Sequence, residues 1–182
     1  MSPLRPPVSS RDHLNGDPSA PIVLVEYGDY ECPYCGAAYP VVKALQEQFR
    51  GRLCFVFRNF PLTEAHPHAE HAAEAAEAAG AAGRFWEMHD AIYEHQNALD
   101  DHHLVRYAEA IGVSGSVMEE ALKTERFAAH IRQDFLGGVR SGVNGTPSFF
   151  INGQKYDGQY DLASLAGAVE GELATAATPP RK

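Results

Sequence analysis

The 182-residue chain is predicted to be an α/β protein in which an all-helical block interrupts a β-rich unit. Three observations carry this. A βαβ pattern fills the first third, an unbroken helical signal runs from about Ala65 to Gly137, and two short strands flank Asn152-Gly153 near the end. The element order is βαβ, a helical block, then ββα.

Pro21 to Tyr27 (PIVLVEY) is a short, nearly continuous apolar run of β-branched character ending at Gly28. Such a run suits a strand buried on both faces, as in parallel sheets. Ala38, Val41, Val42, Leu45 and Phe49 then mark a helical stripe within residues 33–50. Gly51 stops that helix, and Leu53 to Phe57 reads as a second strand, parallel to the first through a right-handed crossover.

The alanine-rich stretch Ala69 to Ala82 has strong intrinsic helix propensity. Further helices are expected at residues 84–96, 100–111, 116–124 and 127–139. Ser148 to Ile151 and Lys155 to Asp157 form strands, and Asn152-Gly153 between them signals a type I′ hairpin. Asp161 caps a last helix through about Leu173. The expected boundaries are a flexible arm at 1–12, a first β-rich half at 13–64, an inserted helical domain at 65–138, a second half at 139–174 and a flexible tail at 175–182.

Composition excludes several functions. With 24 acidic against 15 basic residues the net charge is −9, which disfavours nucleic acid and anionic membrane surfaces. No run of eighteen apolar residues exists to span a bilayer, and three cysteines are too few for a secreted disulfide framework. The N-terminal stretch lacks the apolar segment of a signal peptide, so a cytoplasmic location is expected.

The chemistry concentrates at Cys32-Pro33-Tyr34-Cys35, where the first strand hands over to the first helix. Two cysteines three apart in a first helical turn can close a small disulfide, the first sulfur facing outward and the second the packed side. Free amide groups and the helix dipole stabilise a thiolate there, lowering the first thiol below about 8.5. Pro33 fits a turn that has no partner for its missing N–H. One reading is a dithiol that cycles with a disulfide. The other is half of a structural zinc site, for which Cys54 on a buried strand is a poor further ligand.

Glu26, inside IVLVEY, is a carboxylate whose burial raises its pKa. It either exchanges a proton with Cys35 or simply pairs with a lysine such as Lys43. The histidines of His66-Pro67-His68 read as a solvated helix start, with no metal assigned to them or elsewhere. Phe85-Trp86 reads as core between the two parts, and Cys54 as a buried inert thiol.

Two stretches resemble the DsbA-like branch of the thioredoxin superfamily. They are Val25 to Cys35 (VEYGDYECPYC) and Gly142 to Gly153 (GVNGTPSFFING). The resemblance covers about residues 13–173 and implies a thioredoxin fold with a helical insertion. It implies a thiol–disulfide oxidoreductase with no cofactor, in which Cys32 is the exposed nucleophile and Cys35 the resolving thiol. Pro33 and Tyr34 shape the active-site loop, and Glu26 takes the buried-acid position. An X–Pro bond is cis in only about 5–6% of cases, yet the resemblance implies a cis Pro147, with Thr146 pairing to an extended substrate. Implied partners are protein or peptide disulfides and a redox partner such as glutathione or a thioredoxin-type system. Tyr34 and Thr146 depart from strongly oxidising members, which favours the reductase or isomerase direction. Alternatives on the same scaffold are a redox-switched peptide- or partner-binding domain and a glutathione-dependent isomerase or transferase.

Overall fold

The computed structural model describes residues 3–177. Its sheet has the order β1-β3-β2-β4-β5, with β1 at His13–Asn15, β2 at Ile22–Gly28, β3 at Leu53–Asn59, β4 at Ser148–Ile151 and β5 at Gln154–Tyr156. β2 and β3 are parallel, Ile22 opposite Leu53 through Gly28 opposite Asn59; every other neighbouring pair is antiparallel. Both central strands are almost wholly buried, which explains their unbroken apolar runs. The β4–β5 turn places Asn152 and Gly153 at φ of 48° and 78°, the left-handed pair that a type I′ turn requires.

Alternation along the strands separates two cores. Ile22, Leu24, Phe55 and Phe57 face α1 (Pro33–Gln48) and α7 (Leu162–Ala177), while Val25, Tyr27, Val56 and Phe150 face the opposite way. Glu26 falls on the α1 face. The insertion consists of α2 (Ala69–Ala81), α3 (Phe85–Glu94), α4 (Asp101–Ala110) and α5 (Gly115–Thr124). Its alanines explain its centre: Ala72, Ala73, Ala75, Ala76 and Ala79 are buried around α2, so α3, α4 and α5 all pack against it. Phe85 is buried and Trp86 packs on Phe55 while donating Nε1–H to Leu14 O at 3.0 Å, joining the insertion to the sheet.

Three expectations are corrected by packing. α6 (Ala128–Arg140), assigned by sequence to the inserted block at 65–138, instead lies against β3 and covers the second face of the sheet. Its Phe135 stacks on Phe60 at 4.3 Å. Residues 3–12 of the expected flexible arm are docked: Leu4 is buried and its N–H donates to Gly153 O at 2.9 Å, and Arg5 N–H donates to Ser141 Oγ at 2.7 Å. The buried Arg58 guanidinium then holds Asp12 and the carbonyls of Pro6 and Pro7. At the other end, α7 extends through Ala177, so the first three residues of the expected tail are helical; 178–182 lie outside the described residues.

Candidate active site

Cys32 is the N-cap of α1 and Pro33 its first residue, so the helix opens with its free amide groups around the cysteine pair. Gly36 N–H donates to Cys32 O at 3.0 Å and closes the first turn. Both thiols are buried, Cys35 fully and Cys32 to 3% exposure. The expectation of an exposed first sulfur is thereby corrected: Tyr34, at 63% exposure, is the side chain that the loop presents to solvent.

The two thiols are electrostatically opposite. Cys32 is held down at about 5, chiefly by a hydrogen bond from the Cys35 thiol, against the cost of burial, with help from Thr146 and the amides of Cys35 and Tyr34. Burial pushes Cys35 far up, and the nearby Cys32 and Glu26 add to this. Thr146 O lies 3.5 Å from Cys32 Sγ, and the Thr146–Pro147 peptide is cis. Thr146 Oγ1 is buried without a partner. Thr146 and Pro147, 114 and 115 positions along the chain from Cys32, thus sit at the start of β4 beside the thiols, because β4 pairs with β2.

Glu26 is 3% exposed and its Oε1 has no hydrogen-bond partner. Burial, then the charge of Cys32, raises it to about 8. Lys43 does not pair with it: its Nζ is bound to Asp90 at 2.7 Å. Between them lies a cavity of about 10 Å³ lined by Glu26, Lys43, His89, Asp90 and Tyr93 among others, enough for one water.

Three residues that sequence reading did not assign to the site organise its loop. Asp29, 1% exposed, accepts from Glu31 N–H at 2.8 Å and Cys32 N–H at 3.2 Å through one oxygen. Its other oxygen takes Leu62 N–H and His66 Nδ1, each at 2.8 Å. His66 is therefore no solvated helix start; against the opposing effect of burial, its contact with Asp29 raises its pKa. Gln96, following α3, donates Nε2–H to Tyr30 O at 2.7 Å and Cys32 O at 3.0 Å. Gly36 leaves the room this needs, since a Cβ there would lie 1.9 Å from Gln96 Oε1. The signal available in sequence was only the G-D-Y-E spacing before Cys32; the partners of Asp29 come from distant segments. Cys54, buried on β3 with burial raising its pKa, is not part of this arrangement.

A paired low and high thiol, with a buried acid near them and a peptide edge alongside, is an arrangement suited to thiol exchange. Comparison with known proteins agrees at the level of family and fold. The profile of the family described as Thioredoxin matches residues 9–171. Over 181 residues the chain is 44% identical to a protein named Na(+)/H(+) antiporter NhaA 1 from Salinispora arenicola, covering all of this chain but 27% of that one. A relative from Mycobacterium sp. (strain KMS) with the same name is 41% identical over 169 residues, 92% of this chain and 28% of its own length. The chain thus spans little more than a quarter of these curated relatives. No helix of the described residues is long and apolar enough to cross a membrane.

Among solved structures, oxidised BdbD from Bacillus subtilis superposes with a TM-score of 0.84 at 23% identity, covering 95% of this chain and 96% of that one. A thioredoxin-like oxidoreductase from Silicibacter pomeroyi gives 0.79 at 24% identity over 94% and 95%. The alpha-DsbA1 protein of Wolbachia pipientis gives 0.79 at 20% identity over 93% and 94%. The chain belongs to the thioredoxin family and carries its DsbA-like form of the fold.

Proposed function

We propose that the protein is a thiol–disulfide oxidoreductase whose Cys32 and Cys35 exchange a dithiol with disulfides of protein substrates. The observation that carries this is the opposed pair of thiols: Cys32 held low at about 5 and Cys35 held high in one helical turn. The Cys32 thiolate attacks one sulfur of a substrate disulfide, forming a mixed disulfide and releasing the other substrate sulfur as a thiolate. Cys35 then attacks Cys32 Sγ and expels the second substrate thiolate, leaving a Cys32–Cys35 disulfide. The substrate gains two electrons and the protein loses them.

Cys35 must lose its proton in the second step, and Glu26 is the base. Its pKa is raised partly by the charge on Cys32. In the mixed disulfide that charge is gone, so the carboxyl ionises more readily at the stage where a base is required. The small cavity toward Lys43 and Asp90 lets a water carry the proton outward. Thr146 and Pro147 border the position of an extended substrate strand, and Tyr34 stands exposed on the cysteine loop.

A Cys32 value of about 5 lies between the roughly 7 of thioredoxin and the roughly 3.5 of DsbA. It supports a potential in the middle of their range, about −270 to −120 mV. In a reducing compartment such a pair rests as a dithiol and works as a reductase or isomerase, with glutathione or a thioredoxin-type system restoring it.

The test is multiple-turnover reduction of a model protein disulfide with glutathione as the electron source. Turnover is expected for the native chain, none for Cys32→Ser, and a trapped mixed disulfide for Cys35→Ser. Full activity of Cys32→Ser would overturn the proposal, and a single stoichiometric reaction would leave a redox-switched binding domain in its place.

A further inference from the structure

We propose that His13, Glu77 and His130 form a zinc-binding site that clips β1, α2 and α6 together, separate from the cysteine pair. Nothing in the roles given to Cys32, Cys35 or Glu26 involves these residues. Their donor atoms all lie within 4.8 Å of one another, and they come from three elements far apart in sequence. His13 Nε2 is 2.8 Å from Glu77 Oε2, and His130 Nε2 is 3.7 Å from Glu77 Oε1. Donors about 2.1 Å from a tetrahedral zinc stand roughly 3.4 Å apart. The observed separations bracket that spacing, so seating an ion needs shifts of side chains only.

The surroundings have the character of a supported metal site. Glu77 is 5% exposed, and the buried Asn59 donates Nδ2–H to its Oε1 at 2.7 Å, fixing the carboxylate with one oxygen toward each histidine. Asn59 Oδ1 is itself buried without a partner. The His13 ring lies flat on Phe85 at 3.6 Å between centroids, which fixes its plane. Asp134 Oδ2 stands 3.9 Å from His130 Nε2 and accepts Asn59 N–H at 3.0 Å, adding a second carboxylate beside the site. His13 and His130 are partly exposed, and a cavity of about 340 Å³ opens beside His130 and Asp134, giving the ion a way in.

Two imidazoles and a carboxylate select zinc and neighbouring transition metals over calcium or magnesium, which take oxygen donors. On binding, zinc takes the place of the hydrogen bond that joins His13 Nε2 to Glu77 Oε2.

The test uses the full chain with its Cys32–Cys35 disulfide formed, so that the two thiols do not compete for metal. Zinc chloride is titrated by calorimetry, and ring nitrogen resonances of the histidines are followed by NMR. One zinc per chain is expected, with the His13 and His130 signals moving together and Tm rising. His130→Ala should weaken binding by at least about tenfold, whereas His71→Ala, which disrupts the surface pair of His71 and Asp101, should not. Should His130→Ala fail to fold, the NMR titration of the native chain decides. Absence of zinc binding at about 100 μM, far weaker than structural zinc sites bind, overturns the proposal. So does binding that leaves the His13 and His130 signals in place, or that is lost in His71→Ala.

Discussion

Two buried ionisable groups on neighbouring central strands have received opposite treatment. Arg58 of β3 and Glu26 of β2 are 2% and 3% exposed, on opposite faces of one sheet. All the donors of Arg58 are engaged: Nε and one terminal nitrogen with Asp12 at 2.7 and 3.2 Å, the others with Pro6 O, Pro7 O and Tyr27 Oη at 2.8, 3.2 and 3.0 Å. Glu26 Oε1 has none. The satisfied charge organises the N-terminal segment, and the unsatisfied one is left ready to change its protonation. A buried ionisable group that serves structure is surrounded by partners, whereas one that serves chemistry is kept short of them.

The largest effect expected comes from breaking the satisfied side. Asp12→Ala strips Arg58 of its only carboxylate among the described partners and should lower unfolding stability by about 3–5 kcal/mol, read from urea denaturation. A loss below about 1 kcal/mol would show that the carbonyls of Pro6 and Pro7 suffice.

On the other side the expectation is a pH slope. Glu26 has a folded-state value raised to about 8 from an ordinary 4.5, so the unfolded chain releases this proton first and stability falls as pH rises across that window. Cys32 is the reverse: depressed to about 5 from 9.0, it contributes stability that is present above the unfolded value and lost as pH falls through the folded one. In the reduced protein the two slopes, each about 1.4 kcal/mol per pH unit, oppose one another between about pH 5 and 8. The two contributions therefore nearly cancel in the reduced native protein, whose profile should lie between those of the two single variants. Glu26→Gln should gain stability with rising pH, and Cys32→Ser should lose it. Parallel profiles for all three would remove Glu26 from its place beside the thiols.

A smaller effect belongs to the loop. Gln96→Ala removes two hydrogen bonds to Tyr30 O and Cys32 O, worth about 1–2 kcal/mol together. Faster amide exchange at residues 30–36 is the measurement, and unchanged exchange would count against the clamp.

Local pattern made the strands, the helices, the cysteine pair and the buried acid legible, because each is written in consecutive residues. Glu26 stood out as one carboxylate in an apolar run, and Asn152-Gly153 as a turn. What remained hidden depends on distance along the chain. His66 meets Asp29 across 37 positions, Gln96 reaches Cys32 across 64, and Arg58 gathers Pro6, Pro7 and Asp12 across 46 to 52. The three-residue β1 is too short to show alternation, and its place at the sheet edge follows from pairing with β3. α6 has a helical pattern that says nothing about which layer it joins.

The clamp between Gln96 and the loop carries a consequence for how such proteins can be recombined. Gln96 belongs to the inserted segment and Gly36 to the first half, and the absent side chain of one is the space occupied by the other. A foreign helical segment set into this frame keeps the clamp only if it brings a glutamine against a glycine at these two positions. Exchanged together, the two positions carry the hold on the cysteine loop with them; exchanged singly, they give up its two hydrogen bonds.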